Sequence, residues 1–169
     1  MMIDVVVLPA SIEHLKALQS DRVAFAELLG SEAPDGWPEF PEAVELTLAR
    51  LAEHPHEVDW WMHFFLADGG AVLVGSGGFV GPPANGVVEI GYEIAPAFRE
   101  QGLAKAAAQA MIDKAAASGR VTTVVAHTLV DENPSAGVLR RLGFRCAGTV
   151  VHPEDGAVRR WERTVAGAA

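Results

Sequence analysis

Hydrophobic positions recur along the chain with two different periods, and the change from one to the other marks out its elements. Ile3 to Leu8 is a short β-branched run and reads as a strand. Ser11 then offers an N-cap for a helix through Leu18, and Asp21 starts a second helix to Leu29. Gly30 to Pro41 breaks the pattern, because Pro34, Gly36, Pro38 and Pro41 interrupt helices. The same segment holds Trp37 and Phe40, which either pin it to the core or close as a lid over a site. Glu42 to Glu53 returns to helical spacing and is ended by Pro55.

From there the spacing becomes that of a meander. Val58 to Leu66, Val72 to Phe79 and Val87 to Ile94 read as strands, joined at Asp68-Gly69-Gly70 and Asn85-Gly86. Gly102 to Ala117 is an alanine-rich helix ended by Ser118-Gly119. A strand at Val121 to His127, a short helix near Ser135 to Leu142 and two strands near Phe144 to Val151 and Val158 to Val165 complete the chain. The order predicts a mixed α/β (α+β) fold, with residues 1–169 forming one domain. Alternation places one of each pair Trp60/Trp61 and Phe64/Phe65 inward and the other outward. Cys146 falls within a strand, where a small core role is expected.

Composition narrows the function classes. Half of the 169 residues are hydrophobic, enough for one real core. Twenty-two acidic against thirteen basic residues give a net charge of −9, so no global positive field favours nucleic acid or an anionic membrane. An amine-bearing partner suits that balance. Met1 to Leu8 lacks a basic start, carries Asp4 and is cut short by Pro9, unlike a signal peptide, and no stretch is long enough to span a bilayer. With a single cysteine there is no internal disulfide, in keeping with a cytoplasmic protein. His54, His56 and His63 lack a fourth ligand at a telling distance and read as part of a surface loop around Pro55, so no metal is expected. Gly75-Ser76-Gly77-Gly78 is followed by Phe79-Val80-Gly81-Pro82-Pro83, where no helix can start, so it is a glycine-rich strand rather than a dinucleotide loop.

The segment with the most chemistry lies between the third meander strand and the long helix. Ile94-Ala95-Pro96 ends the strand and Leu103 is already helical, so the backbone turns sharply at Arg99-Glu100-Gln101-Gly102-Leu103-Ala104. The first amides of a helix have no intrahelical partner and carry the positive end of its dipole. Amides from Gln101 to Ala104 can therefore hold an anion such as phosphate. Gly102 and Ala104 keep the approach open, and Arg99 adds a charge at the rim.

This turn resembles the cofactor motif of the GNAT acetyltransferase superfamily: Gln or Arg, two residues, Gly, one residue, Gly or Ala. The preceding Val88 to Pro96 looks like that family's fourth strand. Asn133-Pro134-Ser135-Ala136-Gly137-Val138-Leu139-Arg140-Arg141-Leu142-Gly143-Phe144 looks like its second cofactor motif in RimJ/RimL-type enzymes. The resemblance is close over about Val72 to Thr149. It implies a central sheet of about seven strands, splayed between the fourth and fifth and flanked by helices. It also implies acetyl-CoA as donor, with its pyrophosphate on the turn. Ile94 and Ala95 would lie along the pantetheine arm, and the thioester would sit near Tyr92, Glu93 and Ala126-His127. Asn133 and Ser135 either bond the cofactor, cap a helix, or do both.

The implied reaction is direct transfer of acetyl to a primary amine, on a small molecule or a protein N-terminus, in a ternary complex. An alkyl amine holds its proton at pH 7, as lysine's reference pKa of about 10.4 shows, so a base is needed. The resemblance places Glu89 at the position of a glutamate base. Glu93, on the same face of a regular strand, is the alternative. Many family members have a tyrosine acid where Leu139 stands here, and Tyr92 is the one tyrosine of this chain. Ser135 and His127 remain for weaker help to the leaving thiolate, though a structural hydrogen bond is the ordinary role for His127. A GNAT-like domain that senses acyl-CoA without transfer is the competing class. A sheet edge or the final strands offer a surface for a homodimer.

Overall fold

The computed structural model describes residues 3–131, 133–153 and 155–165. Its elements are β1 (Val6–Pro9), α1 (Ile12–Ser20), α2 (Arg22–Leu29), α3 (Glu42–Glu53), β2 (Met62–Ala67), β3 (Val72–Phe79), β4 (Val87–Ile94), α4 (Leu103–Ala117), β5 (Thr123–Leu129), α5 (Pro134–Arg141), β6 (Arg145–His152) and β7 (Gly156–Thr164). The strands form a seven-stranded sheet in the order β1-β2-β3-β4-β5-β7-β6. Neighbours are antiparallel except β4 and β5, which run parallel.

Local chemistry sets the helix starts. Ser11 Oγ accepts from the His14 amide at 3.1 Å, and Asp21 Oδ1 accepts from the amides of Val23 and Ala24, each at 3.1 Å. Each face of the sheet then carries its own core. On one, the small residues Ala107, Ala108 and Ala115 let α4 lie close over Val88, Ile90 and Val124. On the other, α1, α2 and α3 cover Met62, Phe64, Leu66 and Leu73, with Trp37 inserted from the loop between α2 and α3.

Three expectations change. Val58 to Trp60, expected to start a strand, belong instead to the 3₁₀ turn Pro55–Trp60, which Pro55 opens with its fixed φ, and the strand begins at Met62. Trp60, Trp61, Phe64 and Phe65 are all buried: alternation sends Phe64 and Phe65 to opposite faces, and both faces of β2 are covered. Cys146 is exposed, since β6 is the terminal strand of the sheet and most of it is uncovered.

The three histidines separate. His54 and His56 are exposed and bring ligand atoms within 4.8 Å of one on Glu57, whose carboxylate already accepts from Trp61 Nε1 at 3.0 Å. His63 is instead fully buried in β2, with Nδ1 2.9 Å from the Trp61 carbonyl and Nε2 2.8 Å from Lys114 Nζ. Accepting from the ammonium requires a neutral ring whose proton is on Nδ1. Burial, reinforced by Lys114, lowers the His63 pKa to about 4. Above about pH 6.5 neither the folded nor the unfolded imidazole is charged, and the group does not affect stability. Between pH 6.5 and about 4 the unfolded chain binds a proton that the folded chain refuses, so stability falls with pH, by about 3 kcal/mol in all. Urea titrations across that window should show a shallower acid loss in His63→Gln than in the wild type.

Candidate active site

β4 and β5 pair only between Val87–Glu89 and Thr123–Val125. Beyond that, β4 runs to Ile94 held by β3, and β5 runs to Leu129 held by β7, so the strands part and a wedge opens. The Val80 amide donates to the Glu89 carbonyl and the Ala95 amide to the Val74 carbonyl. Alternation therefore turns the backbone groups of Ile90, Tyr92 and Ile94 toward the wedge. Of these, the Ile94 carbonyl accepts from Arg99 Nε at 2.9 Å.

The turn into α4 stands at the open end of β4. Glu100 and Gly102 both have left-handed backbones, with φ of 62° and 79°. Gly102 is the N-cap and no side chain caps the helix; the first bond back is from the Ala106 amide to the Gly102 carbonyl. The amides of Leu103, Ala104 and Lys105 are thus presented as donors. The Arg99 guanidinium turns away from them, onto the Ile94 carbonyl and the Glu39 carboxylate at 3.1 Å. Gln101 donates to the Ala97 carbonyl at 3.4 Å.

Across the wedge, Asn133 caps α5, with Oδ1 accepting from the Ala136 amide at 3.1 Å. Its amide group donates to the carbonyls of Asp131 at 2.7 Å and Leu129 at 3.3 Å, which ties α5 to the end of β5. Ser135 is the polar neighbour of the Tyr92 hydroxyl, yet that hydroxyl is buried without a well-aligned protein partner among the described residues. Burial raises the Tyr92 pKa, which keeps the phenol protonated and a donor. Leu139 is packed in the core and brings no polar group.

Glu89, Gly91 and Glu93 share the opposite face of β4, as the unbroken register requires. Their environments differ. Glu93 accepts from the backbone amides of Glu39 at 2.8 Å and Phe40 at 3.2 Å, so it fastens the loop to the sheet. Burial raises its pKa, and those amides pull it partly back. Glu89 stands where the strands divide, and its Oε1 lies 2.5 Å from Nδ1 of His127 on β5. The approach is too bent for a well-aligned hydrogen bond, and Nδ1 has no other partner among the described residues, so proximity rather than alignment defines the pair. The His152 ring from β6 meets the His127 ring edge-on at 5.9 Å. Arg160, opposite His127 on β7, is paired with Glu162 at 3.0 Å.

Next to this face lies a cavity of about 230 Å³ between α3 and the sheet. Phe40, Leu46, Trp61 and Val80 make its walls apolar, and Gly91 and Glu93 form its border with the wedge.

The family model described as an acetyltransferase (GNAT) domain matches residues 9–145. The chain belongs to the GNAT acetyltransferase family. The Bacillus subtilis (strain 168) protein YjdG, an uncharacterized N-acetyltransferase, is 30% identical over 131 residues, 76% of this chain and 77% of that one. Among solved structures, the RimL ribosomal L7/L12 α-N-protein acetyltransferase in complex with coenzyme A superposes with a TM-score of 0.66 at 22% identity, covering 97% of this chain and 98% of that one. The microcin C7 self-immunity acetyltransferase MccE, in complex with acetyl-CoA and AMP, gives 0.66 at 18% identity, covering 96% and 93%. A ribosomal-protein-S5-alanine acetyltransferase from Vibrio fischeri gives 0.65 at 14% identity, covering 97% and 94%.

This GNAT chain is thus an acetyl-CoA-dependent acyltransferase. Its own features fit such a donor. The wedge exposes a strand edge for an amide-bearing arm, the uncapped end of α4 suits a pyrophosphate, and the buried Tyr92 hydroxyl awaits a partner. Of the residues expected at the donor, the Ala95 amide and the Arg99 guanidinium are already engaged within the protein. Sequence reasoning missed the Glu89–His127 pair, because the register of a parallel strand pair is set by a crossover helix rather than by a turn that can be read. Among the described residues no helix is long and apolar enough to cross a membrane.

Proposed function

We propose that this GNAT protein is an N-acetyltransferase that moves acetyl from acetyl-CoA directly to a primary amine, on a small molecule or a peptide N-terminus, in a ternary complex. The observation that carries this reading is the placement of the Glu89–His127 pair at the division of β4 and β5, beside a cavity on the face away from α4. The donor supplies an activated thioester. What the chain must add is a place for the amine and a route for its proton. Glu89 gives the negative charge that favours proton removal, and Glu93 keeps the loop over the acceptor side in place. The Leu103, Ala104 and Lys105 amides would hold the pyrophosphate, with Gly102 shaping the turn. Ile90 and Tyr92 would offer backbone groups to the pantetheine arm, and Ile94 its amide. Ser135 and the Tyr92 hydroxyl would face its thiol end. The apolar cavity suits an amine that carries an apolar group.

Release of CoA from acetyl-CoA, measured over a panel of alkyl amines and short peptides, tests the proposal. Turnover with at least one acceptor is expected, while tight donor binding with no turnover on any acceptor would favour a sensor of acyl-CoA instead. The helix end gives a separate check. Gly102→Val forces a β-branched residue into a left-handed backbone, which should cost about 1–2 kcal/mol of stability and weaken CoA binding by about tenfold or more. Gly30→Val imposes similar strain at the end of α2 and should leave CoA binding unchanged in calorimetry.

A further inference from the structure

We propose that Nε2 of His127 is the atom that takes the proton from the acceptor amine, with Glu89 acting on it from the other side of the ring. This inference rests on the transferase reading above. Only one imidazole nitrogen is committed: Nδ1 lies against the Glu89 carboxylate, while Nε2 has no partner among the described residues and is not closed off from solvent. The negative charge of the carboxylate beside Nδ1 favours the neutral ring's proton on that nitrogen, which leaves the Nε2 lone pair free to accept another. The carboxylate then stabilises the imidazolium that forms.

Position supports the assignment. In the parallel register Glu89 is level with Val125, so His127 is level with Gly91 across the opening wedge. Gly91 is exposed, and a Cβ built on it would meet no atom within 4 Å. The strand is therefore bare where His127 faces it, and Gly91 also borders the apolar cavity. An amine whose apolar part fills the cavity would reach the wedge between Gly91 and His127. Glu89 sits at the closed end of the wedge, where β4 and β5 still pair. The other charged groups near it are occupied: Arg160 and Arg145 with Glu162, and Glu93 with the loop amides. His152 packs edge-on against His127, with its Nδ1 3.5 Å from Asp155.

In the step itself, the amine nitrogen bonds to the thioester carbonyl carbon, and the carbon–sulfur bond breaks with its electron pair on sulfur. Nε2 takes one proton from the bound ammonium and passes it to solvent before the nitrogen attacks, and the proton that the nitrogen sheds on becoming an amide goes to the departing thiolate. Atoms and charge balance without a further reactant.

Three measurements on the wild type and His127→Gln, with His127→Asn as a second variant, test this. Ring ¹⁵N spectra of the wild type without donor should show the neutral His127 ring protonated on Nδ1; a ring protonated on Nε2 overturns the proposal. Acetyl-CoA affinity by calorimetry should agree within about twofold between wild type and variants, since their donor site is intact. With an acceptor found in the amine panel, kcat/KM at pH 7 should fall about 10²-fold or more. That loss should shrink as the pH approaches the acceptor's own pKa, because a free amine no longer needs the base. Unchanged kcat/KM, or the same loss at every pH, overturns the assignment. A wild type that binds donor but acetylates no amine removes the transferase reading and this inference with it. An active wild type with equally active variants removes this inference alone.

Discussion

Glu89→Gln is expected to lower kcat/KM by about 10²-fold or more, equivalent to about 3 kcal/mol of activation free energy. Acetyl-CoA affinity and thermal stability should stay close to wild type. Glutamine keeps the shape and an oxygen that can face Nδ1 of His127, so the substitution removes charge and little else. Without that charge, an imidazolium formed during transfer has no counter-ion in contact. Glu93→Gln is the informative comparison. Its carboxylate already receives two loop amides, and one amide oxygen can keep only part of that arrangement. The Glu93 variant should lose under tenfold in kcat/KM, seen mainly as a higher KM for the acceptor, because its work is to hold the loop. Steady-state kinetics on both variants decide between the two carboxylates. Equal losses, or a loss confined to Glu93→Gln, would contradict the assignment of Glu89.

How far the sequence carries the reader depends on whether a feature is set locally. Ser11, Asp21 and Asn133 all cap helices as expected, because a cap is made within three or four residues. The sharp turn before α4 and the free first amides of that helix were legible for the same reason, whereas Gly102, read as its first residue, is the left-handed N-cap. The family match spans residues 9–145, wider than the stretch from Val72 to Thr149 that carries the recognisable motifs. The α1–α3 face of the sheet is built from ordinary hydrophobic spacing, which says nothing of ancestry. Features set by distant contacts were not legible. His63 was read as part of a surface loop, but β2 is covered on both faces, and Lys114, fifty-one positions later, supplies the partner for its buried ring. Arg99 was expected as a charge beside the anion, but Glu39 and the Ile94 carbonyl draw its guanidinium away. His127 was given an ordinary structural hydrogen bond; its contact with Glu89 depends on the pairing of Val125 with Glu89, which the residues alone do not specify.

Trp37→Ala should cause the largest loss of stability among these substitutions, about 3–5 kcal/mol for removing a fully packed aromatic side chain. Trp37 is 2% exposed, packs against Phe25 and Phe64 with ring centroids 6.2 Å away in each case, and donates from Nε1 to the buried Ser76 Oγ at 2.9 Å. Alanine opens a cavity and also leaves that hydroxyl unpaired in the core. For a chain of this length the midpoint should fall by roughly 10 °C or more in a thermal scan. Trp37→Phe, which keeps most of the ring and loses the donor, should cost about 1–2 kcal/mol. The consequence reaches the site through the loop. Three contacts tie its far end to β4 and to the turn before α4: the Glu39 and Phe40 amides on Glu93, and the Glu39–Arg99 ion pair. Both partners of that ion pair are about half exposed, so it adds little on its own. Trp37 is then the anchor that keeps Glu39 and Phe40 in register with β4. In the fraction of Trp37→Ala that remains folded at low temperature, KM for the acceptor should rise more than the Kd for acetyl-CoA. An equal rise in both would place the loop's influence on the donor turn at Arg99 instead.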